Sequence, residues 1–172
     1  MTIFRNRNVE AVQRSEVVIL GADPADVESV LTQPGLSQGL RGKLLISVVA
    51  GWTREKLEET LRGGLDDTID YSGARSSKES RVWVLRTLPN IAALVSQSLT
   101  AIEEPGPEMP SHYLELAELI LQQIGRIVRV TPQLIDATTA VGGSTPAFFA
   151  VICDAMIDAA VAVGVPRTPP RP

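Results

Sequence analysis

The chain has 172 residues, enough for one domain, or for one domain and part of a second. Its net charge is −4 and its Lys and Arg residues are scattered, so we expect no nucleic-acid partner and no anionic-membrane surface. Its single cysteine, Cys153, excludes a disulfide framework and favours a reducing, cytoplasmic compartment. Residues 1–14 are polar and basic, a composition that predicts no secretory signal.

Two strand–turn–helix units follow. Val17–Leu20 is a continuous apolar run, typical of a buried parallel strand, and it ends at the turn Gly21–Pro24 before a first helix. Residues Leu44–Val49 repeat the pattern and end at Ala50-Gly51. Thr53 then resembles the N-cap of a second helix. This repetition predicts an α/β fold built on a parallel sheet.

The middle of the chain extends the sheet. Residues 63–80 are polar and rich in glycine, which predicts a surface loop. Residues 81–86 alternate and are rich in β-formers, so they are predicted as a third strand, and residues 97–102 and 126–130 as two more. Between these last two, residues 111–124 are predicted as a helix capped by Ser111, with its apolar residues on one face.

The final element is predicted as a helix that begins near Gly142–Pro146. Ser144 or Thr145 can cap its free amides, and proline suits a first helical position because its missing N–H costs nothing there. Gly164 and Pro166 are typical of the end of a helix.

Residues 147–163 are apolar on nearly every face, and such a helix must be enclosed by other elements. Cys153 is therefore predicted to be buried and inert. Asp154 and Asp158 interrupt the apolar run, so we expect no membrane span. These two carboxylates indicate either a wet seam that faces a partner or an ordinary exposed stripe.

Thr131-Pro132 marks the predicted boundary between two parts of the chain. Residues 1–130 would form a partial dinucleotide-binding domain, residues 131–167 the start of a helical domain, and residues 168–172 a disordered, proline-rich tail.

The sequence offers few side chains for catalysis. It has no Cys or His cluster for a metal, and His112, its only histidine, is predicted to be a solvated surface residue. The remaining candidates are the turns at the carboxyl ends of the predicted strands: Gly21–Pro24, Ala50-Gly51 and Leu88–Asn90. Ligands bind at such turns in open α/β sheets, because backbone amides and helix N-termini converge there. A purely structural role is the alternative for each turn.

Six segments, in the same order along the chain, match motifs of one enzyme family. They are Asn8–Leu20, Gly21–Pro24 (family Ala-Val-Lys-Pro), Ile46–Gly51 (a strand ending Ala-Ala-Gly), Arg86–Asn90 (Arg-Val-Met-Pro-Asn), Ile135–Phe148 (a Ser-Gly-Ser-Gly-Pro-Ala motif) and Gly164–Arg167 (Gly-Leu-Pro-Arg). Together they resemble the pyrroline-5-carboxylate reductase family over nearly the whole chain.

The resemblance implies hydride transfer from NADPH or NADH to the C=N carbon of 1-pyrroline-5-carboxylate, or of a related cyclic imine, which gives proline. It implies a Rossmann-like domain followed by an all-helical dimerisation domain, and it names no catalytic residue and no metal. Ser144 and Thr145 would lie at the substrate cleft or dimer interface. The residues that would line the cofactor are Asn8, Gly21, Ala22, Asp23, Pro24, Val49, Ala50, Gly51, Pro89 and Asn90.

The sequence departs from the family at several places, among them Pro132, where many members have a glutamate, and Ile91-Ala92, which replaces Thr-Pro. It contains no glycine-rich phosphate loop and no Ser-Pro-Gly-Gly-Thr-Thr motif, so we expect a chain truncated at both ends, and Asp23 replaces the family lysine. Two alternatives stay open: a reductase, or a non-catalytic homologue that associates with a full-length reductase. In either case the apolar helix is expected to lack its enclosure, so that the chain self-associates or binds a partner.

Overall fold

The computed structural model describes residues 2–63 and 81–167, and it has helices on both faces of a five-stranded sheet. The strands are β1 (Val17–Leu20), β2 (Leu44–Ser47), β3 (Trp83–Leu88), β4 (Ser98–Glu103) and β5 (Gly125–Val130). The helices are α1 (Asn8–Gln13), α2 (Val27–Leu31), α3 (Leu36–Gly39), α4 (Arg54–Gly63), α5 (Ser111–Leu121), α6 (Ile135–Thr138) and α7 (Ser144–Ala162). Short 3-10 turns span Ile91–Val95 and Gln122–Ile124. Except for Gly63, which ends α4, the predicted loop 63–80 and the predicted tail 168–172 lie outside the described residues.

The strands lie across the sheet in chain order. β1, β2 and β3 pair in parallel, with Ser47 opposite both Leu20 and Arg86. The α/β class is therefore confirmed, with one departure from the parallel prediction: β4 is antiparallel to β3, and β5 is parallel to β4. The connection 89–97 explains the reversal, because a parallel return needs about a dozen residues or more.

Alternating side chains of β2 supply two cores. Leu45 faces α1–α4 in one cluster, whereas Leu44 and Ile46 face the other side of the sheet. There Ala117 and Leu121 of α5 cover them, which confirms the predicted apolar face of that helix. A strand that is buried on both faces in this way reads as a continuous apolar run.

The two predicted caps have different outcomes. Thr53 Oγ1 accepts a hydrogen bond from the Lys56 amide at 3.2 Å, so the predicted N-cap of α4 is confirmed. Ser111 begins α5, but Pro110 occupies the capping position and no side-chain cap is formed. The predicted Ser111 cap is therefore wrong.

The last helix begins earlier than the sequence predicts. α6, a π-helical turn at Thr139–Gly143 (the π-turn) and α7 form one continuous helix, so Ser144–Pro146 is not its start and neither Ser144 nor Thr145 caps it. The predicted end is confirmed. Gly164 has φ +95°, and the Val165 amide donates to the Ala160 carbonyl at 3.0 Å, as in a Schellman motif.

α7 contains no buried residue within the described chain, as expected for an apolar helix that lacks its enclosure. Cys153 is exposed with it, and the prediction that this thiol is buried is wrong. The exposed Asp154 and Asp158 both bind Arg167, at 2.8 and 3.0 Å. The helix 135–162 is long and apolar enough to cross a membrane, so Asp154 and Asp158 do not exclude a span as the sequence analysis expected. Core helices of soluble proteins meet the same test of length and composition.

Candidate functional site

The three predicted turns lie along one border of the sheet, which we call the carboxyl edge (residues 21–24, 48–51 and 88–90). The parallel pairing of β1, β2 and β3 brings them there. The Val48 amide donates to the Leu20 carbonyl at 3.0 Å, and Thr87 Oγ1 donates to the Ser47 carbonyl at 3.3 Å. A side chain on Gly21 would meet Val48 at 3.6 Å, so the first two turns are in close contact.

Trp52 ties the first turn to the second. Its indole N–H donates to the Pro24 carbonyl at 3.0 Å, and its ring is buried in the core beside α4. Lys56 Nζ lies 4.0 Å from the ring centroid, at cation–π distance. Sequence reasoning missed Trp52. The signal available in the sequence was a tryptophan directly after the Gly51 turn. A buried indole N–H needs a hydrogen-bond acceptor, and a neighbouring turn can supply one.

The first turn is shaped by its own aspartate. Asp23 is exposed, and its carboxylate accepts a hydrogen bond from the Ala25 amide at 3.0 Å. Gly21 and Pro24 are exposed as well, whereas Ala22 packs partly against the core. The turn therefore presents backbone and one negative charge to solvent.

The second turn presents only small groups. Val49 is buried in the core, while Ala50 and Gly51 are exposed. Gly51 has φ +76° with open space around it, a backbone conformation that favours glycine. A ligand could therefore contact the backbone of Ala50 and Gly51 directly.

Asn90 links the third turn to the helical segment. Its side-chain carbonyl accepts from the Ala92 amide at 3.1 Å, and its side-chain amide donates to the Gly142 carbonyl at 3.4 Å. Its backbone amide donates to Ser98 Oγ at 3.1 Å. Pro89 and Asn90 are both half-buried. Ser144 and Thr145, predicted at the cleft or dimer interface, follow the π-turn in the first turn of α7.

Two other predicted residues have different surroundings. Asn8 begins α1, and its amide donates to Gln33 Oε1 at 3.3 Å. His112 is exposed, in agreement with its predicted surface role, and its ring is tilted against that of Tyr113 with the centroids 4.2 Å apart. Cofactor binding by Asn8 and by the three turns stays a prediction.

A buried ion network, which sequence reasoning missed, lies beneath the carboxyl edge. Arg86 of β3 pairs with Glu103 of β4 at 3.1 Å and with Asp136 of α6 at 3.0 Å. Arg54 of α4 approaches Glu103 at 3.6 Å. Burial raises the pKa of Glu103 above its ordinary value, and the two guanidinium groups only partly oppose this effect.

No metal cluster marks the carboxyl edge in the part of the chain that the structure describes. Among residues 2–63 and 81–167, no group of three or more His, Cys, Asp or Glu side chains could hold a metal ion. A cavity of about 310 Å³ lies elsewhere, between α4, the start of β3 and the β4–α5 connection. The exposed residues of the edge include Gly21, Ala50 and Gly51, which present backbone groups and small side chains to solvent.

Comparisons with known proteins identify the family. A model described as pyrroline-5-carboxylate reductase dimerisation matches residues 132–169, and one described as NADP oxidoreductase coenzyme F420-dependent matches residues 1–51. Pyrroline-5-carboxylate reductases from Lophium arboricola and Schizosaccharomyces pombe are 36% and 34% identical to the chain over 96% and 92% of it. The chain belongs to the pyrroline-5-carboxylate reductase family.

The fold agrees with this family. A crystal structure of Plasmodium falciparum pyrroline carboxylate reductase with NADP bound has a TM-score of 0.77 at 23% identity, and the match covers 95% of this chain and 55% of that one. The chain spans about half the length of the curated relatives it matches, namely 49% of the L. arboricola protein and 50% of the S. pombe protein.

Proposed function

We propose that this chain takes part in the NAD(P)H-dependent reduction of 1-pyrroline-5-carboxylate, or of a related cyclic imine, to proline or the corresponding amine. The observation that supports the proposal is that three turns lie along one border of the sheet and that the third contacts the π-turn through Asn90. In open α/β sheets such turns form the crevice for a dinucleotide.

The turns would hold the cofactor by close backbone approach. Gly21, Ala50 and Gly51 are exposed and small, so they leave room for the cofactor beside their amide groups. Asp23 adds a negative charge, which disfavours a phosphate at that point. One matching family model is described for NADP oxidoreductases, and the P. falciparum structure holds NADP. Both NADPH and NADH are therefore used in the test below.

The reaction adds a hydride to the carbon of a C=N bond, and the nicotinamide supplies that hydride when bound. A cyclic imine is partly protonated near neutral pH, so orientation of the two reactants is the main contribution required from the protein. We therefore assign no catalytic acid. The cytoplasmic location expected from the cysteine content is part of the same proposal.

The test follows absorbance at the nicotinamide band with purified chain, pyrroline-5-carboxylate and either cofactor. Turnover is expected, and Ala50→Leu should raise the Michaelis constant for the cofactor at least roughly tenfold because its side chain fills the exposed turn. Gln38→Leu adds an apolar side chain at an exposed position of α3 and serves as the control. Absence of turnover at high protein concentration with both cofactors would exclude autonomous catalysis.

A second candidate function is association with a longer reductase subunit without catalysis. The observation that favours it is that none of the residues of α7 is buried in the described chain, within the segment that matches the dimerisation model. Mixing the chain with a full-length family member and sizing the products should then give a hybrid species. If only the two separate species elute, this alternative fails.

A further inference from the structure

Strand β3 and the turn that follows it contact the helical segment at two points. Arg86 binds Asp136 at 3.0 Å, and Asn90, four positions further along the chain, binds the Gly142 carbonyl at 3.4 Å. Asp136 lies in α6, before the π-turn, and Gly142 lies within the π-turn near its end. The strand therefore contacts the helix before its irregular part, and the turn after the strand contacts it within that part.

The Gly142 carbonyl is available because of Pro146. In an α-helix the amide of each residue donates to the carbonyl four positions earlier, and proline has no amide hydrogen. Pro146 therefore cannot donate to the Gly142 carbonyl, and the Asn90 amide donates to it instead. Irregular turns of this kind in a helix occur frequently at functional sites.

The orientation of the Asn90 side chain follows from its other contact. Its carbonyl oxygen accepts from the Ala92 amide at 3.1 Å and so caps the 3-10 turn Ile91–Val95. The oxygen is thus directed at a donor and the nitrogen at an acceptor. Asparagine satisfies both neighbours at once, and aspartate can satisfy only Ala92.

Arg86, which makes the other contact with the helical segment, is fixed by the sheet. Its side chain is 4% exposed, and the buried carboxylate of Glu103 accepts from it at 3.1 Å. Asp136 is largely exposed and is the partner from the helical segment. The guanidinium is thus fixed by the sheet and presented to α6.

We infer that Asn90 and Arg86 are positioning residues that together hold the π-turn against the carboxyl ends of the strands. The structural part of this inference, the docking itself, is independent of the activity proposed above. Its consequence for turnover rests on the proposed function, because the π-turn then borders the cleft in which cofactor and imine meet.

Hydrogen exchange of the full chain tests the docking. Asn90→Asp keeps the acceptor for Ala92 and removes the donor for Gly142, so exchange should rise roughly fivefold at residues 139–147 and stay unchanged at 92–95. Asn90→Ala should raise exchange in both segments. Asn8→Asp makes the same chemical change at the Gln33 contact and should leave residues 139–147 as in the wild type.

The contact between Arg86 and Asp136 is tested by substituting Asp136, because a change at this exposed side chain disturbs the fold least. Asp136→Asn should raise exchange at 135–143, and Asp136→Glu should restore part of the protection because it retains the charge for Arg86. The docking is overturned if Asn90→Asp leaves residues 139–147 at the wild-type rate, or if exchange rises equally in β1 and β2, which would indicate general destabilisation.

Turnover separates positioning from a general effect on the fold. In an active chain, Asn90→Asp should lower kcat roughly tenfold or more with the Michaelis constant for the cofactor within about twofold of wild type. A raised Michaelis constant at unchanged kcat would contradict the positioning role. If the wild-type chain shows no turnover, the proposed function fails, and the exchange measurements still decide whether Asn90 and Arg86 dock the π-turn.

Discussion

Trp52 donates its indole N–H to the Pro24 carbonyl at 3.0 Å, across 28 positions of sequence. The bond joins the turn after β1 to the turn after β2, so the first two parts of the carboxyl edge are held in a fixed relation before any ligand arrives. A site that is already in place binds without the entropic cost of ordering its loops.

Trp52→Phe is expected to loosen this pair of turns. A smaller aromatic ring replaces the indole and the Pro24 carbonyl loses its donor, so the free energy of unfolding should fall by at least about 1–2 kcal/mol in urea titrations. The affinity for NADPH should fall with it. Trp83→Phe makes the same change in the core on the other face of the sheet, and equal effects on cofactor affinity in both variants would contradict a role for the bond.

Glu103 should make the free energy of unfolding decrease as pH rises. Burial raises its folded-state pKa above the ordinary 4.5, so the folded protein binds a proton more readily than the unfolded chain. The stabilisation from this proton is complete below pH 4.5 and is lost as pH rises through the folded pKa. The stability of the wild type relative to Glu103→Gln should therefore decrease as pH rises across that interval.

The measurement is urea unfolding of both proteins at matched pH values from acid to neutral. Because the two proteins differ only at residue 103, the contributions that they share cancel in the difference. A difference that is constant with pH, or that grows as pH rises, would contradict the assignment to Glu103.

Much of the sheet could be predicted from local sequence. The apolar runs 17–20 and 44–49 and the alternating run 81–86 correspond to β1, β2 and β3. Residues 97–102 and 126–130 correspond to β4 and β5. The meeting of three turns at one border follows from parallel pairing, and that part of the candidate site was also accessible from the sequence.

Strand direction and long-range contacts were less accessible. The antiparallel pairing of β4 depends on the shortness of connection 89–97, a signal that periodicity alone does not contain. The pair Arg86–Asp136 joins residues 50 positions apart, and no local pattern indicates it. Pro146 led to the prediction that the helix starts there, because proline lacks the amide that a helix interior requires. The donor that replaces this amide comes from Asn90, in another part of the chain, so local sequence does not indicate it.

Gly125 is expected to be essential for joining β5 to β4. It has φ +147°, and a side chain there would lie 2.1 Å from the Ser98 backbone oxygen. Gly125→Ala should therefore lower the free energy of unfolding by about 3 kcal/mol or more, or prevent folding. Gly63→Ala, at the end of α4 with open space around it, should be neutral or stabilising by up to about 1 kcal/mol. Thermal unfolding of the two variants checks the contrast.

The exposed apolar surface of α7 should make the chain associate. Ile152 and Met156 are 53% and 68% exposed and lie one helical turn apart, in the segment that matches the dimerisation model. Glutamate at both positions should weaken self-association at least roughly tenfold, because two charges would have to be buried in the contact. Sedimentation velocity over a concentration series measures the effect.

Leu119→Glu supplies the control for that experiment. Leu119 is 61% exposed on α5, outside the matched segment, so the same kind of substitution there should leave the association constant unchanged. Circular dichroism should show the same helix content for all variants, since none of the three positions is buried within the described chain. A wild-type chain that sediments as a monomer at high concentration would show that α7 needs a different partner to cover it.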